Sequence, residues 1–175
     1  MKKGLVHIYC GEGKGKTTSA IGMGIRACGW GLRVLMVQFF KGADTGELKF
    51  LESVPLFTVI GGPRSVKFYQ AMSEEEKQEY KITASGMFHT AVHVSMQDKY
   101  DLLILDEVFA AVNTGMVEQG ALAGFLMTQP AGLEVVMTGR YAPKELIEAA
   151  DLVTEMVEVK HYYAKGVGAR DGIER

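Results

Sequence analysis

"HIYCGEGKGKTTSAIG", residues 7–22, decides how the rest of the chain reads. A short apolar run stops at Cys10, a loop of glycine and lysine follows, and small, helix-compatible residues come next. A phosphate-binding loop has this order: strand, glycine loop, Gly-Lys-Thr, helix. The usual spacing puts a glycine five places before the Gly-Lys-Thr. Here that place is Cys10 and the glycine stands at Gly11, so the loop is compact. Glycines let backbone N–H groups turn inward around an anion. The helix that starts here adds its positive dipole end. Lys16 supplies a point charge for phosphates, Thr17 a hydroxyl for Mg²⁺, and Lys14 a second cation within the loop. The plain alternative is a flexible Gly-Lys turn; a strand before and a helix after favour the phosphate reading.

Outward from this loop, strand and helix alternate. Residues 4–10 read as a buried strand and 15–29 as a helix, in which Gly22 and Gly24 suggest close packing on a sheet. Strands are expected at 32–40 and 56–62, with a helix over 46–53 between them. A long helix over 73–99 opens with Ser73 and Glu76 in a capping-box arrangement and closes on Lys99. "YDLLILDEV" (100–108) is a strongly apolar strand ending in two acids. A helix follows over 116–127, then a strand at 132–140, a helix at 142–150 and a last strand at 151–160. Near-continuous apolar strands alternating with helices point to an α/β protein. The expected fold is a P-loop NTPase-like (RecA-type) parallel sheet with helices on both faces, in a single nucleotide-binding domain over residues 1–175.

The composition agrees. The chain has 175 residues, 47% hydrophobic and 23% charged, enough for one sizeable core. A net charge of -2 implies no broad attraction to nucleic acid or anionic lipid. The two cysteines, Cys10 and Cys28, lack metal-ligand spacing and read as reduced thiols of a cytoplasmic protein. The N-terminal apolar run is too short for a signal peptide, and no segment is long enough to span a membrane.

In such folds ligands bind beyond the carboxyl ends of the strands. "LLILDE" delivers Asp106 and Glu107 there, acids suited to assist Mg²⁺. Glu107 is alternatively a general base for water, and the pair alternatively a solvated strand end. "MTGR" delivers Arg140, whose fork can meet a phosphate or carboxylate, or simply a surface partner. Arg26, late in the first helix, either reaches back over a nucleotide or caps the helix end. "VQFFKG" places Gln38 to Lys41 beside the loop; its pattern reads as a strand end with core aromatics. His7, His89, His93 and His161 form no convincing ligand set, and the methionines read as core filler.

"GEGKGKTT", "VQFFKG", "LDEV" and "MTGR", together with "ELIEAADLVTEMVEVKHYYAKGVGARDGIE", resemble the P-loop ATP:corrinoid adenosyltransferases of cobalamin synthesis and salvage. The resemblance runs from the first strand to the C-terminus, is weakest between about Ser53 and Lys99, and is most specific in the closing block. It implies that the compact loop holds ATP, the co-substrate, reversed relative to ordinary P-loop enzymes. A Co(I) corrinoid attacks the 5′ carbon of the ribose and triphosphate leaves. By resemblance, Gly11, Glu12, Gly13, Lys14, Gly15, Lys16, Thr17 and Thr18 bind the triphosphate, with Arg26 and Arg140 near the nucleotide. Lys16, Glu107 and Arg140 carry catalysis. Thr17 and Glu107 serve Mg²⁺ (or Mn²⁺), with Asp106 as a supporting acid. Phe68 and Tyr69 are the nearest candidates for the corrinoid face. The implied partners are the corrinoid, a reduced flavin or flavoprotein as reductant, and a second copy in a homodimer; no nucleic acid and no membrane is implied. Longer members carry an extension before the first strand, able to fold over the corrinoid pocket, and this sequence opens at the strand. Two other functions fit the loop: a P-loop ATPase or kinase, which yields ADP, and a non-catalytic ATP- or corrinoid-binding module, which yields nothing.

Overall fold

The computed structural model describes residues 4–41, 45–62, 69–97 and 99–174. Six strands form one sheet: β1 (Val6–Cys10), β2 (Val34–Gln38), β3 (Phe57–Gly61), β4 (Leu102–Asp106), β5 (Glu134–Thr138) and β6 (Leu152–Glu155). Their order across the sheet is β3-β2-β4-β5-β1-β6 and every pair is parallel. β2 and β4 are buried at every position, which explains their unbroken apolar sequence. β6 closes one edge and is exposed along its length.

Among the described residues six α-helices link the strands: α1 (Lys16–Gly29), α2 (Gly46–Leu51), α3 (Glu74–Gln97), α4 (Val108–Asn113), α5 (Gln119–Thr128) and α6 (Lys144–Ala149). Alternate residues of each strand feed the two faces of the sheet. Leu35, Val37, Leu103 and Leu105 pack with Tyr80, Ala84 and Phe88 of α3 on one face. Val34, Met36, Leu102 and Ile104 pack with Ala20 and Ile21 of α1 and Leu48 of α2 on the other. This is the α/β, P-loop NTPase-like arrangement that the alternating pattern predicts. α1 lies so close to the sheet that a Cβ on Gly24 would stand 2.5 Å from the Phe57 ring. Gly22 differs from its expectation: nothing packed against the helix comes within 4 Å of where its Cβ would be, and this side of the helix borders a cavity.

Most element boundaries shift by one to three residues from the sequence reading, and three differ for a local reason. β4 stops at Asp106 because Glu107 takes a left-handed conformation (φ 57), after which α4 begins, a helix the apolar run concealed. β6 stops at Glu155 because β1, the strand it pairs with, ends at Cys10, the partner of Glu155, and the chain of β1 turns away there into the glycine loop. α3 ends at Gln97, so Lys99 (φ 52) does not occupy its last turn. At the other end of α3 the capping box forms: the Ser73 N–H donates to Glu76 Oε2 at 2.8 Å and the Glu76 N–H to Ser73 Oγ at 3.2 Å.

Both cysteines are free thiols, Cys10 buried and Cys28 half-buried. No helix among the described residues is long and apolar enough to cross a membrane.

Candidate functional site

The loop between β1 and α1 is built on the ends of two neighbouring strands. The Gly11 N–H donates to the Arg140 carbonyl just past β5 (3.0 Å), and the Gly13 N–H to the Met156 carbonyl just past β6 (2.7 Å). At Gly13 the backbones approach so closely that a Cβ would stand 2.8 Å from the Met156 carbonyl. Gly15 then turns the chain into α1 with φ 111. The first turn of α1 carries no acidic residue and no side-chain cap among the described residues, so its N–H groups and positive dipole end face outward.

Lys16, 8% exposed, folds back under the loop. Its ammonium donates to the carbonyls of Gly11 and Gly13 at 2.7 Å each. Burial lowers its pKa, Glu107 opposes that shift, and Arg140 adds to it.

Asp106 is the centre of the second cluster. It is fully buried. Thr17 Oγ1 and Thr138 Oγ1 donate to its Oδ1 at 2.8 and 2.7 Å, and Gln38 Nε2 donates to its Oδ2 at 3.1 Å. The Lys41 ammonium lies 3.3 Å from the same Oδ2 and donates to Thr17 Oγ1 at 2.9 Å. Register explains the meeting: Gln38 and Asp106 are paired residues at the ends of adjacent parallel strands. The Glu107 N–H donates to Thr138 Oγ1 at 2.9 Å. Burial, and then the neighbouring Asp106 charge, push the Glu107 carboxyl above its ordinary pKa.

A cavity of about 660 Å³ opens above these groups. Lys14–Thr18, Ile21, Lys41, Glu47, Glu107 and Glu174 face it. The C-terminal tail forms one wall. Lys14 Nζ lies 3.3 Å from Glu174 Oε1 and donates to the Ile173 carbonyl at 3.2 Å and Tyr162 Oη at 3.4 Å. Arg170 clasps Glu174 from the other side, at 3.0 and 3.2 Å, and the Tyr162 hydroxyl donates to it. Arg170 first, then Tyr162, holds the Glu174 carboxyl far below the usual carboxylate range.

Of the residues singled out in the sequence, Lys14 to Thr18 and Glu107 meet at the cavity and Asp106 lies beneath it. Gly11, Glu12, Gly13 and Arg140 form the adjoining side of the loop. There Arg140 Nη1 lies 3.3 Å from Glu12 Oε2, and the Tyr141 hydroxyl donates to the same carboxylate. Arg26 is exposed in the last turn of α1 and does not face the cavity. Tyr69 packs edge-on against Phe40 with ring centres 6.3 Å apart, away from the cavity. Phe68 lies outside the described residues. His89 and His93 are exposed on α3, and His7 pairs with Glu134 at 3.1 Å.

The sequence reading placed Gln38 to Lys41 beside the loop and Thr138 at a strand end, but gave Gln38, Lys41, Thr138 and the tail group no role in the site. "VQFFKG" does place core aromatics, since Phe39 is fully buried, but its polar ends belong to the site. The available signal was a glutamine ending an otherwise apolar strand.

The oxygens of Thr17, Asp106 and Glu107 suit a hard divalent cation, and two features of the surroundings fit one. A cationic group, the Lys41 ammonium, already sits among them. Gln38 Oε1, buried and without a hydrogen-bond partner among the described residues, is one amide away from Asp106 and can accept from an ion's water shell. The described residues contain no cluster of three or more His, Cys, Asp or Glu, so water and phosphate oxygens would complete the shell, as Mg²⁺ prefers.

A six-stranded parallel sheet with a glycine loop leading into α1 and an acid ending β4 defines a P-loop NTPase-like α/β protein. The chain belongs to the ATP:corrinoid adenosyltransferase family BtuR/CobO/CobP, whose model matches residues 2–175. It is 35% identical over 180 residues to a corrinoid adenosyltransferase of Pseudomonas aeruginosa, an alignment covering 99% of this chain and 84% of that one. It is 31% identical to the corrinoid adenosyltransferase CobA of Salmonella typhimurium and 30% identical to a corrinoid adenosyltransferase of Escherichia coli K12. Both alignments cover 99% of this chain and 86% of the relative.

Proposed function

We propose that this enzyme transfers the 5′-deoxyadenosyl group of ATP to the Co(I) of a corrinoid and releases triphosphate, in adenosylcobalamin synthesis or salvage. The observation that carries the reading, beside family membership, is the cavity: two loop lysines and an uncapped helix N-terminus on one side, a buried acid and a threonine hydroxyl beneath.

In this reaction the Co(I) lone pair forms the cobalt–carbon bond, and the C5′–O bond breaks with its electron pair leaving on triphosphate. No protein nucleophile is needed. The protein positions the ribose and stabilises the charge that develops on the leaving group. In this reading Gly11–Thr18 cradle the triphosphate. Lys16 moves its ammonium from the Gly11 and Gly13 carbonyls to phosphate oxygens, and Lys14 exchanges Glu174 for phosphate. Arg140, held beside the loop by Glu12, supplies a further cation, and Arg26 stands farther off on α1. Thr17 and Glu107 would hold Mg²⁺ (or Mn²⁺), with Asp106 orienting the Thr17 hydroxyl. The ion, when bound, neutralises charge on the leaving triphosphate.

The corrinoid partner is reduced by a flavin or flavoprotein, and the active form is a cytoplasmic homodimer. The aromatic group around Tyr69 and Phe40 is the corrinoid-facing candidate, with Phe68 beside it in sequence.

Anaerobic turnover of chemically reduced Co(I) corrinoid with ATP and Mg²⁺ tests the reading. Adenosylcorrinoid, followed by its visible spectrum, together with triphosphate is the expected result. ADP with unchanged corrinoid assigns the site to a phosphoryl-transfer enzyme. Bound ATP with no product assigns it to a binding module.

A further inference from the structure

We propose that the Lys41 ammonium is a placeholder cation: it occupies the Thr17 and Asp106 oxygens at the edge of the metal site, and it and the divalent ion exclude one another. This rests on the metal reading above. Lys41 is a positioning residue in this scheme, holding Thr17 and Asp106 in place and setting the order in which metal and triphosphate enter.

The geometry points to this. Lys41 Nζ lies 2.9 Å from Thr17 Oγ1, 3.3 Å from Asp106 Oδ2 and 3.7 Å from Glu47 Oε1. Those oxygens come from α1, β4 and α2, so three separate elements converge on one ammonium. A surface ion pair is exposed at both ends and loosely held. Here the Asp106 side chain is fully buried and the Lys41 side chain only 28% exposed.

The backbone is bent to aim it. Phe40, immediately before Lys41, is left-handed at φ 54, an unfavourable conformation for a bulky residue. Such a residue persists only where its surroundings hold it. The Tyr80 hydroxyl accepts from the Phe40 N–H at 2.5 Å, the two rings lie 4.8 Å apart, and the Phe39 N–H donates to the Asp106 carbonyl at 3.0 Å.

A fully buried carboxylate requires a nearby positive charge. Lys41 supplies it. A divalent ion arriving on Thr17 and Asp106 would meet the ammonium at contact distance, where like charges repel strongly. One of them must leave. Lys41 already faces the cavity and Glu47, so it has a path outward, and triphosphate gives it a new partner there. The metal therefore enters together with triphosphate rather than ahead of it.

Mn²⁺ alone, titrated into nucleotide-free protein and followed by electron paramagnetic resonance, tests this. K41M is expected to bind Mn²⁺ at least about tenfold more tightly than the wild type, and K41R like the wild type. Should K41M fail to melt cooperatively, K41Q carries the same comparison. Equal or weaker Mn²⁺ binding by the neutral variant overturns the proposal, as does equal tightening in K41R. Adenosyl transfer is measured separately. Tightened Mn²⁺ binding without any adenosylcorrinoid sinks only the proposed reaction, and normal turnover by the wild type with unchanged Mn²⁺ binding in K41M sinks only the placeholder.

Discussion

Lys14 and Glu174 stand 160 residues apart in sequence and 3.3 Å apart in space. One belongs to the phosphate loop and the other ends the described tail. The contact makes the C-terminus a wall of the site, and it puts a carboxylate where the loop's outer lysine would meet a phosphate.

Glu174→Gln is therefore expected to loosen the tail and to leave Lys14 free for ATP. Hydrogen exchange over 162–174 should quicken several-fold, and trypsin should cut sooner at Lys165 and Arg170. Acid should do the same to the wild type. The Glu174 carboxyl is held below its ordinary value of 4.5, so its contribution is fully present above that pH and is lost as pH falls through the depressed value. Protection of the tail, corrected for the intrinsic pH dependence of exchange, should thus be constant between pH 8 and 5 and fall only in more acid solution. Tail protection that is already absent at neutral pH would contradict the clasp.

The tail and the loop also show how far the sequence could be read. The loop was legible because its chemistry is local: glycines, Lys16 and Thr17 sit within a few residues of one another, between a strand and a helix. Asp106 and Glu107 were legible because an apolar strand ends abruptly on them. Gln38 and Lys41 were not, since their meaning depends on β2 pairing with β4 in a register that no local pattern states. Thr138 was placed at the end of its strand, but its bonds to Asp106 and Glu107 depend on β5 lying beside β4. Glu174 and Arg170 lie in the closing block that carries the resemblance, but no local pattern gives them a role, and only the return of the chain past β6 brings them to Lys14. α4 was hidden for a different reason: Glu107 reverses the backbone with a φ of 57, which side-chain periodicity does not report.

Gly13→Ala should destabilise the protein and displace the loop. The new methyl would meet the backbone of Met156 and Val157 at 2.8 to 2.9 Å, and neither can swing aside as a side chain would. Overpacking of this kind costs about 1–3 kcal/mol. For a chain of this size each kcal/mol lowers Tm by about 2–4 °C. A melting curve identical to the wild type would mean that the loop does not rest on the chain after β6.

Thr138→Val keeps the shape and removes the hydroxyl that links the Glu107 N–H to Asp106. Thr138 is fully buried, so water cannot readily replace the lost partner. Leaving such groups bare costs about 1–3 kcal/mol. Urea denaturation should show a midpoint lowered accordingly with an unchanged slope, and Thr138→Ser should restore most of it. A valine variant as stable as the wild type would show that the Glu107 turn is held by other contacts.

Lys16→Ala separates the loop's structural role from its chemical one. In the fold its ammonium ties the Gly11 and Gly13 carbonyls together from a buried position, so the variant should lose some stability. Its larger effect should fall on turnover. A charged donor aimed at a group that gains charge in the transition state is typically worth about 10²–10³ in rate. The drop should appear in kcat as well as in kcat/KM, because the charge on triphosphate grows as the C5′–O bond breaks. Lys16→Arg should recover less than a tenth of the rate, since the fork cannot occupy the space between two carbonyls that one ammonium fills. A Lys16→Ala enzyme with wild-type kcat and only a raised KM for ATP would show that this lysine binds the triphosphate equally before and during its departure, and would move the catalytic charge to Lys14, Arg140 or the metal.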